Sequence, residues 1–211
     1  MEINPQDTAA NLFYKVIIGS VVPRPIAWVS TRNEAGQPNL APFSFFTMVC
    51  PRPPTLLFCP GVRGTDGGDK DTFVNVQASG EFVVNLVSEE LTGPMVRTAT
   101  ELPPEVNEFE YAGLTVEESA VISSPRVAES QVSFECKLSE IIPVGDGERG
   151  SGFVVLGEVV HIRTQEGVLD ENYRTNMDVL KPVARLSGPN YAGLGPLLKH
   201  AREASQIDGD K

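Results

Sequence analysis

Short apolar runs rich in β-branched and aromatic side chains recur along much of the chain, and in the run at residues 132–142 apolar and polar residues alternate. The runs lie at residues 26–30, 55–59, 81–87, 132–142 and 153–162. Turn signals separate them, as in the segment NEAG after the first run. Alternation of this kind between turns is typical of antiparallel strands. The pattern predicts a mainly β fold, an antiparallel sheet or barrel with a few helices.

Two helices are predicted in the middle of the chain. Asp69 or Asp71 caps the first, which runs to about residue 79 and ends at Gly80. Ser88 caps the second, which runs through residue 96, although the Gly-Pro pair at 93–94 weakens its middle.

A third helix is predicted near the C-terminus. Pro196 suits the first turn of a helix and predicts a C-terminal helix over residues 197–205. No internal repeat or low-complexity linker divides the sequence. We therefore predict a single domain over residues 1–211, a β-barrel core with a C-terminal helical extension.

The charge balance restricts the classes of partner. The 211 residues include 17 basic and 28 acidic side chains, for a net charge of -11. A nucleic-acid-binding protein needs a broad basic surface to neutralise phosphates, so we expect no nucleic-acid partner. A single bound phosphate group remains compatible with this charge, because it needs only one local cluster of donors.

Cysteine and histidine usage disfavours two further classes of site. Three cysteines without C-x-x-C spacing argue against a disulfide framework and a zinc site, and two histidines are too few for most His-rich metal sites. We therefore expect no metal.

The N-terminus lacks the pattern of a signal peptide, and no apolar run approaches the roughly 18 residues of a membrane helix. The expectation is a cytoplasmic protein without membrane contact.

The first candidate for ligand chemistry is the loop at residues 61–72 (GVRGTDGGDKDT). It follows a predicted strand and leads into a predicted helix, so glycine amides and a helix N-terminus can converge on an anion. Arg63 and Lys70 add positive charge, and Thr72 adds a hydroxyl. The loop matches neither the P-loop nor the dinucleotide motif. The alternative interpretation is a flexible surface loop with solvated charges.

The second candidate is the aromatic segment at residues 39–46 (NLAPFSFF). Pro42 cannot donate to a β-ladder, so the segment is predicted to be an edge strand or a bulge. Exposed backbone groups beside aromatic side chains suit a flat heterocycle. The alternative is a core strand with a kink.

Later in the chain, Tyr191 with Arg185 is a third candidate. Tyr191 either lies over a ligand or a partner surface, or is an ordinary packing tyrosine.

No catalytic side chain stands out. Cys50 and Cys59 lie in apolar runs and are interpreted as inert thiols. His161 lies on a predicted strand among apolar residues, which favours a structural role. The catalytic residue is therefore left unassigned.

Several of these segments occur together in an order that resembles a known family. GSVVPRPIAWVST, NLAPFSFF, KDTFVNVQASGEFVVNL, SFECKL and VARLSGPNY are similar to the flavin reductase-like family, whose fold is the FMN-binding split barrel. The resemblance covers roughly residues 13–191. It implies a six-stranded split β-barrel as a single domain, which is usually a homodimer with the flavin at or near the subunit interface.

The resemblance also implies positions for a bound FMN. The isoalloxazine ring is expected beside residues 39–46, and the phosphate beside residues 60–72. The side chains of residues 30 and 31 are expected to reach the ribityl chain or the phosphate, and residue 191 the ring or the partner subunit. The implied cofactor-binding residues are Ser30, Thr31, Asn39, Ala41, Pro42, Phe43, Ser44, Phe45, Arg63, Lys70, Thr72 and Tyr191.

The function that the resemblance implies is that of an NAD(P)H-dependent flavin reductase, which passes electrons to a second acceptor such as free flavin, a partner oxygenase, oxygen or a metal complex. One alternative is a flavoredoxin-like electron carrier without direct nicotinamide activity. Another is a non-catalytic barrel that binds a different phosphorylated ligand. The sequence does not distinguish NADH from NADPH.

Overall fold

The β-branched and aromatic runs form the strands of one large sheet and two small ones. A computed structural model describes residues 1–103 and 105–204. Its strands are, in chain order, β1 (Ala27–Arg32), β2 (Pro38–Phe43), β3 (Phe46–Pro51), β4 (Pro54–Phe58), β5 (Glu81–Asn85), β6 (Val116–Glu117), β7 (Arg126–Val127), β8 (Val132–Val144), β9 (Gly152–Thr164), β10 (Ala184–Arg185) and β11 (Tyr191–Ala192). The five predicted strands are all present, with their ends shifted by a few residues.

The large sheet has seven strands in the order β2-β1-β5-β8-β9-β4-β3. All of its neighbours are antiparallel. The mainly β fold predicted from the sequence is confirmed. Strands β2 and β3 are consecutive in the chain but lie at opposite edges of this order, joined only by Ser44 and Phe45. Three residue steps span at most about 11 Å, so the sheet must curve until its two edges approach each other.

The segment at residues 39–46 is therefore two strands rather than one. Its first part lies in β2, which is an edge strand, as Pro42 predicts. Pro42 stands opposite Trp28 of β1. Because β2 has a neighbour on one side only, Pro42 lies outside the central ladders of the sheet. The break at Ser44 and Phe45 lets the chain pass from one edge of the sheet to the other.

The curved sheet is packed on both faces along β1. Ala27 and Val29 belong to a core cluster that contains Phe43, Phe58 and Phe82, and the ring centroids of Phe43 and Phe58 are 5.1 Å apart. Since alternate residues of a strand point to opposite faces, Ile26 and Trp28 belong to a second core cluster. That cluster includes buried residues of the helices that cover the sheet, namely Met95 and Phe109.

Five α-helices accompany the sheet in the described residues: α1 (Ala10–Ser20), α2 (Asp71–Ser79), α3 (Thr92–Arg97), α4 (Glu108–Ala112) and α5 (Met177–Leu180). The predicted helix after residue 69 is α2, and Gly80 ends it in the left-handed conformation with φ of 68°. The predicted aspartate cap is wrong, because Lys70 is the N-cap residue and no side chain caps it.

The second predicted helix is divided. A 3-10 turn covers Glu89–Leu91, and α3 follows it. Ser88 is at the N-cap position of the 3-10 turn but makes no capping hydrogen bond with its side chain. Pro94 lies in the first turn of α3, where a helix needs no backbone N–H from it. The Gly-Pro pair therefore marks the start of the α-helix and does not weaken its middle.

The predicted C-terminal helix is wrong for the residues that the structure describes. Residues 197–204 form no helix, and residue 205 lies outside the described residues. Leu197 and Leu198 are 69 % and 85 % exposed, so no tertiary packing offsets the cost of starting so short a helix. The extent of the single domain stays a prediction.

No helix in residues 1–103 and 105–204 combines the length and the hydropathy needed to cross a membrane. The cytoplasmic location stays a prediction.

Candidate functional site

Two open clefts lie on either side of the end of β2, and Pro42 and Phe43 line both of them. The first is lined by β2, the loop before α2, the start of α2, the segment after α3 and the start of α4: Asn39, Ala41, Pro42, Phe43, Arg63, Lys70, Asp71, Thr72, Thr98, Ala99, Thr100, Glu101, Leu102 and Glu108. The second is lined by Tyr14, Ile18, Arg24, Pro42, Phe43, Ser44, Phe45, Cys59, Arg185, Leu186 and Gly188.

The positive charges of the first cleft are the side chains of Arg63 and Lys70, and both are paired with carboxylates. Arg63 Nε lies 3.2 Å from an Asp66 carboxylate oxygen, and its Nη1 lies 3.7 Å from Asp71 Oδ1. Lys70 Nζ lies 3.7 Å from Glu101 Oε1. All three pairs are partly exposed, and two of them are 3.7 Å long, so each contributes little to stability. The two cations therefore remain available to an anion that binds them more strongly.

The N-terminus of α2 supplies further donors to this cleft. Asp71 and Thr72, its first two residues, line the cleft, and no side chain caps the helix. The N–H groups of a first helical turn lack intrahelical acceptors and carry a partial positive charge. Together with the guanidinium of Arg63 and the ammonium of Lys70, they form a group of donors suited to one phosphate.

The glycines of the preceding loop contribute less than the sequence suggested. The N–H of Gly67 donates to the Arg63 carbonyl at 3.0 Å. The N–H of Gly68 donates to Asp66 Oδ1 at 2.9 Å, and this bond is the main reason why the pKa of Asp66 is lowered. Both amides stabilise the loop itself. The expected convergence of glycine amides on an anion is therefore not present at these two positions.

Asn39 connects the strand β2 to the helix α2. Its Oδ1 accepts hydrogen bonds from the hydroxyls of Thr72 at 2.8 Å and Thr31 at 3.3 Å. Its Nδ2 donates to Glu108 Oε1 at 3.0 Å. Thr31 in turn accepts a hydrogen bond from Asn75 Nδ2 at 3.0 Å. The network fixes the start of α2 against the strand that separates the two clefts.

Glu108 is a residue of this network that the sequence did not indicate. Its Oε2 accepts the backbone N–H of Leu40 at 3.3 Å, and its Oε1 accepts from Asn39. Burial raises the pKa of Glu108, although these hydrogen bonds oppose the shift. The carboxylate lies at the wall of the first cleft and holds β2 from the side of α4. No motif in the sequence connects a residue of α4 to a strand so distant along the chain.

The second cleft is organised by a buried arginine. Arg24 is 7 % exposed, and its guanidinium donates to the carbonyls of Ile18, Val21 and Leu186 at 2.7, 2.6 and 3.0 Å. Its Nε donates to the Ser44 hydroxyl at 3.3 Å. One side chain thus holds the end of α1, the link between β2 and β3, and the segment after β10 around the cleft.

The link itself presents an aromatic ring to this cleft. The Arg24 guanidinium carbon lies 5.9 Å from the ring centroid of Phe45, and Phe45 is 44 % exposed. The backbone carbonyl of Phe45 accepts the N–H of Cys59 at 2.9 Å, so the segment between β2 and β3 is bound to the end of β4. Burial raises the pKa of the Cys59 thiol, which keeps it protonated and agrees with an inert role.

Nine of the twelve predicted cofactor-binding residues line one of these clefts. Asn39, Ala41, Arg63, Lys70 and Thr72 line the first, Ser44 and Phe45 the second, and Pro42 and Phe43 both. The hydroxyl of Thr72 already donates to Asn39, so its backbone N–H is the donor that it offers to a ligand.

Ser30, Thr31 and Tyr191 line neither cleft. Ser30 and Thr31 are fully buried, and the hydroxyl of Ser30 donates to the Pro125 carbonyl. Tyr191 packs against the second core cluster. Its hydroxyl accepts a hydrogen bond from Arg185, which does line the second cleft. Direct contact of these three residues with a cofactor stays a prediction.

The chain is similar in sequence and in fold to known proteins. A family model described as "Flavin reductase like domain" matches residues 18–201. A protein of Aquifex aeolicus is 46 % identical over 191 residues, which cover 90 % of this chain and 94 % of that protein. The structure of nitrilotriacetate monooxygenase component B from Bacillus cereus has a TM-score of 0.89 and 36 % identity, and the match covers 94 % of this chain and 98 % of that chain. The 2-nitrobenzoate 2-nitroreductase NbaA of Pseudomonas fluorescens has a TM-score of 0.86 and 30 % identity, with 96 % of each chain covered.

Proposed function

This chain belongs to the flavin reductase-like family of flavin-dependent oxidoreductases, and from that premise we propose that it binds FMN, takes electrons from NADH or NADPH and passes them to a second acceptor. The observation that carries the proposal is the pair of clefts that share Pro42 and Phe43. One cleft offers donors for a phosphate, and the other offers an aromatic ring and polar groups for a planar heterocycle.

The first cleft is the proposed site of the FMN phosphate. Arg63 and Lys70 supply charge, and the first N–H groups of α2 supply uncapped donors. The choice of FMN over FAD rests on the size of this donor group, since two cations and the first turn of one helix suit a single phosphate.

The second cleft is the proposed site of the ring system. Ser44 and Phe45 would contact it, and Arg24 keeps both in place through its hydrogen bond to Ser44 and its position near Phe45. When bound, the flavin supplies hydride acceptance and electron transfer. The chain supplies orientation and donors and leaves one side open, and no acid–base side chain is assigned.

Thr31 would act on the site indirectly, through Asn39. Thr31 supports Asn39, and Asn39 supports Thr72. Because Asn39 also lines the first cleft, this support is the role that we propose for Thr31. Tyr191 would act in the same indirect way, by holding Arg185 at the second cleft.

The acceptor is proposed by analogy with the similar structures. One of them is named as component B of a nitrilotriacetate monooxygenase and another as a nitroreductase. We propose that reduced flavin produced by this chain serves a partner oxygenase or a small oxidant such as a nitro compound.

Anaerobic mixing with NADH or NADPH tests the electron donor. The purified protein loaded with FMN is expected to lose its visible flavin absorbance within seconds in stopped-flow spectrophotometry, because the open cleft admits a nicotinamide. Free FMN at the same concentration is the control. If neither nicotinamide bleaches the bound flavin while dithionite does, the chain is an electron carrier and the reductase proposal fails. If the protein takes up no FMN, the proposed cofactor is wrong.

We also propose that the chain is a homodimer. The helix α1 buries none of its residues in the single chain, and Leu12, Tyr14, Val16 and Ile17 are each at least 43 % exposed. Exposed apolar patches of this kind mark interaction sites in soluble proteins. Tyr14 also lines the second cleft, so a second subunit on this face would complete that cleft.

Sedimentation measures the oligomeric state directly. We expect a mass of about twice the 22.8 kDa of one chain, and Leu12→Asp with Ile17→Asp is expected to shift it towards one chain, because burying unpaired carboxylates is costly. A monomeric wild-type protein at micromolar concentration would rule the dimer out.

A further inference from the structure

Glu101 lies in the first cleft and contacts two parts of the loop that precedes α2. Its Oε2 accepts a hydrogen bond from the Thr65 hydroxyl at 2.7 Å. Its Oε1 lies 3.7 Å from Lys70 Nζ. Glu101 lines the cleft together with Lys70, and its side chain is 36 % exposed. This carboxylate therefore engages one of the two cations that a bound phosphate would need.

Glu101 differs from the other carboxylates of the cleft in what it contacts. Glu108 accepts hydrogen bonds from Asn39 and from the backbone of Leu40, and these bonds join β2 to α4. Asp71 is the first residue of α2 and lies 3.7 Å from Arg63. Glu101 holds only a lysine and a threonine of the loop, and of these two only Lys70 lines the cleft. An anion entering the cleft competes with Glu101 for Lys70.

We propose that Glu101 is a specificity-determining residue that pairs with Lys70 in the first cleft until the phosphate of FMN displaces it from that lysine. The inference rests on the proposed function, because it requires that a phosphate binds in the first cleft. No covalent bond changes; a carboxylate leaves the lysine and a phosphate takes its place. A phosphate dianion attracts an ammonium group more strongly than a carboxylate does, so it displaces Glu101 where weaker anions do not.

The substitution Glu101→Gln separates this role from a structural one. Glutamine keeps an oxygen that accepts from Thr65 but loses the negative charge beside Lys70. We expect FMN to bind roughly three- to tenfold more tightly to this variant at low ionic strength, the range expected for one partly exposed charge. Affinity is measured by quenching of FMN fluorescence. Riboflavin, which lacks the phosphate, is expected to bind both proteins equally.

Salt dependence gives a second readout, because screening weakens interactions between exposed charges. The advantage of Glu101→Gln for FMN is expected to shrink when the ionic strength is raised. Glu34→Gln is the matched control, since it removes the same charge from an exposed turn outside both clefts. It is expected to leave the affinity for FMN unchanged.

Two results would contradict the proposal in different ways. If the wild-type protein prefers FMN to riboflavin and Glu101→Gln binds FMN equally or more weakly, Glu101 is a structural clamp and its proposed competition is wrong. If the wild-type protein binds FMN and riboflavin equally, the phosphate site of the proposed function is itself wrong. Comparing the two ligands on the two proteins distinguishes these cases.

Discussion

Replacing Arg63 and Lys70 together by alanine is expected to weaken FMN binding about 100-fold, which corresponds to about 2.7 kcal/mol. Hydrogen bonds to charged groups contribute about 1.5–3 kcal/mol each, and we take the lower end because both side chains are partly exposed. The dissociation constant is measured by titration calorimetry, with riboflavin as the ligand that lacks the phosphate. Riboflavin affinity is expected to change little.

A control with the same loss of charge is available in the C-terminal segment. Lys199 and Arg202 are exposed and line neither cleft. Their double alanine variant is expected to bind FMN as the wild-type protein does. If the Arg63 and Lys70 double variant also retains full affinity, the first cleft does not hold the phosphate.

Replacing Glu135 by alanine is expected to lower the free energy of unfolding by about 3–5 kcal/mol, the usual cost of breaking a buried ion pair. Glu135 is fully buried on β8. Its two oxygens accept the N–H groups of Ala120 and Val121 at 2.8 and 2.9 Å. Arg126 Nη1 and His161 Nδ1 lie 3.2 and 3.3 Å from Oε1. The alanine variant would leave Arg126 and the two backbone amides without their acceptor.

Denaturant unfolding measures this loss, and two further variants define its origin. Glu135→Gln retains one acceptor oxygen, so we expect an intermediate loss of stability. Glu140→Ala removes an exposed carboxylate from the same strand and is expected to change the free energy of unfolding by no more than about 0.5 kcal/mol. A loss below about 1 kcal/mol for Glu135→Ala would show that Glu135 is not the centre of a buried network.

Much of the sheet was predictable because its signals are local. Alternation and β-branching within β5, β8 and β9 are visible in the sequence, and the proline at position 42 predicts an edge strand on its own. Gly80 likewise marks the end of α2 because it adopts a positive φ. Each of these features depends on residues that are neighbours in the chain.

The parts of the site that the sequence does not predict depend on contacts between residues far apart in the chain. Glu108 meets Asn39 across 69 positions, and Thr65 meets Glu101 across 36. Nothing in either local sequence indicates its partner. The role of Arg24 in the second cleft is not predictable for a similar reason. An arginine between two prolines carries no local signal that it is buried among backbone carbonyls. The helix α1 was missed because it buries no residue, and its β-branched residues favour strands.

The two residues between β2 and β3 have a consequence for how this site can change over evolutionary time. Ser44 and Phe45 join the two edges of the sheet and also line the second cleft, so a substitution there alters folding and ligand contact together. The loop before α2 bears no such double constraint over residues 62–70, which lie outside the strands. New ligand preferences should therefore arise by mutation of that loop. Ser44 and Phe45 stay under selection both for folding and for ligand contact.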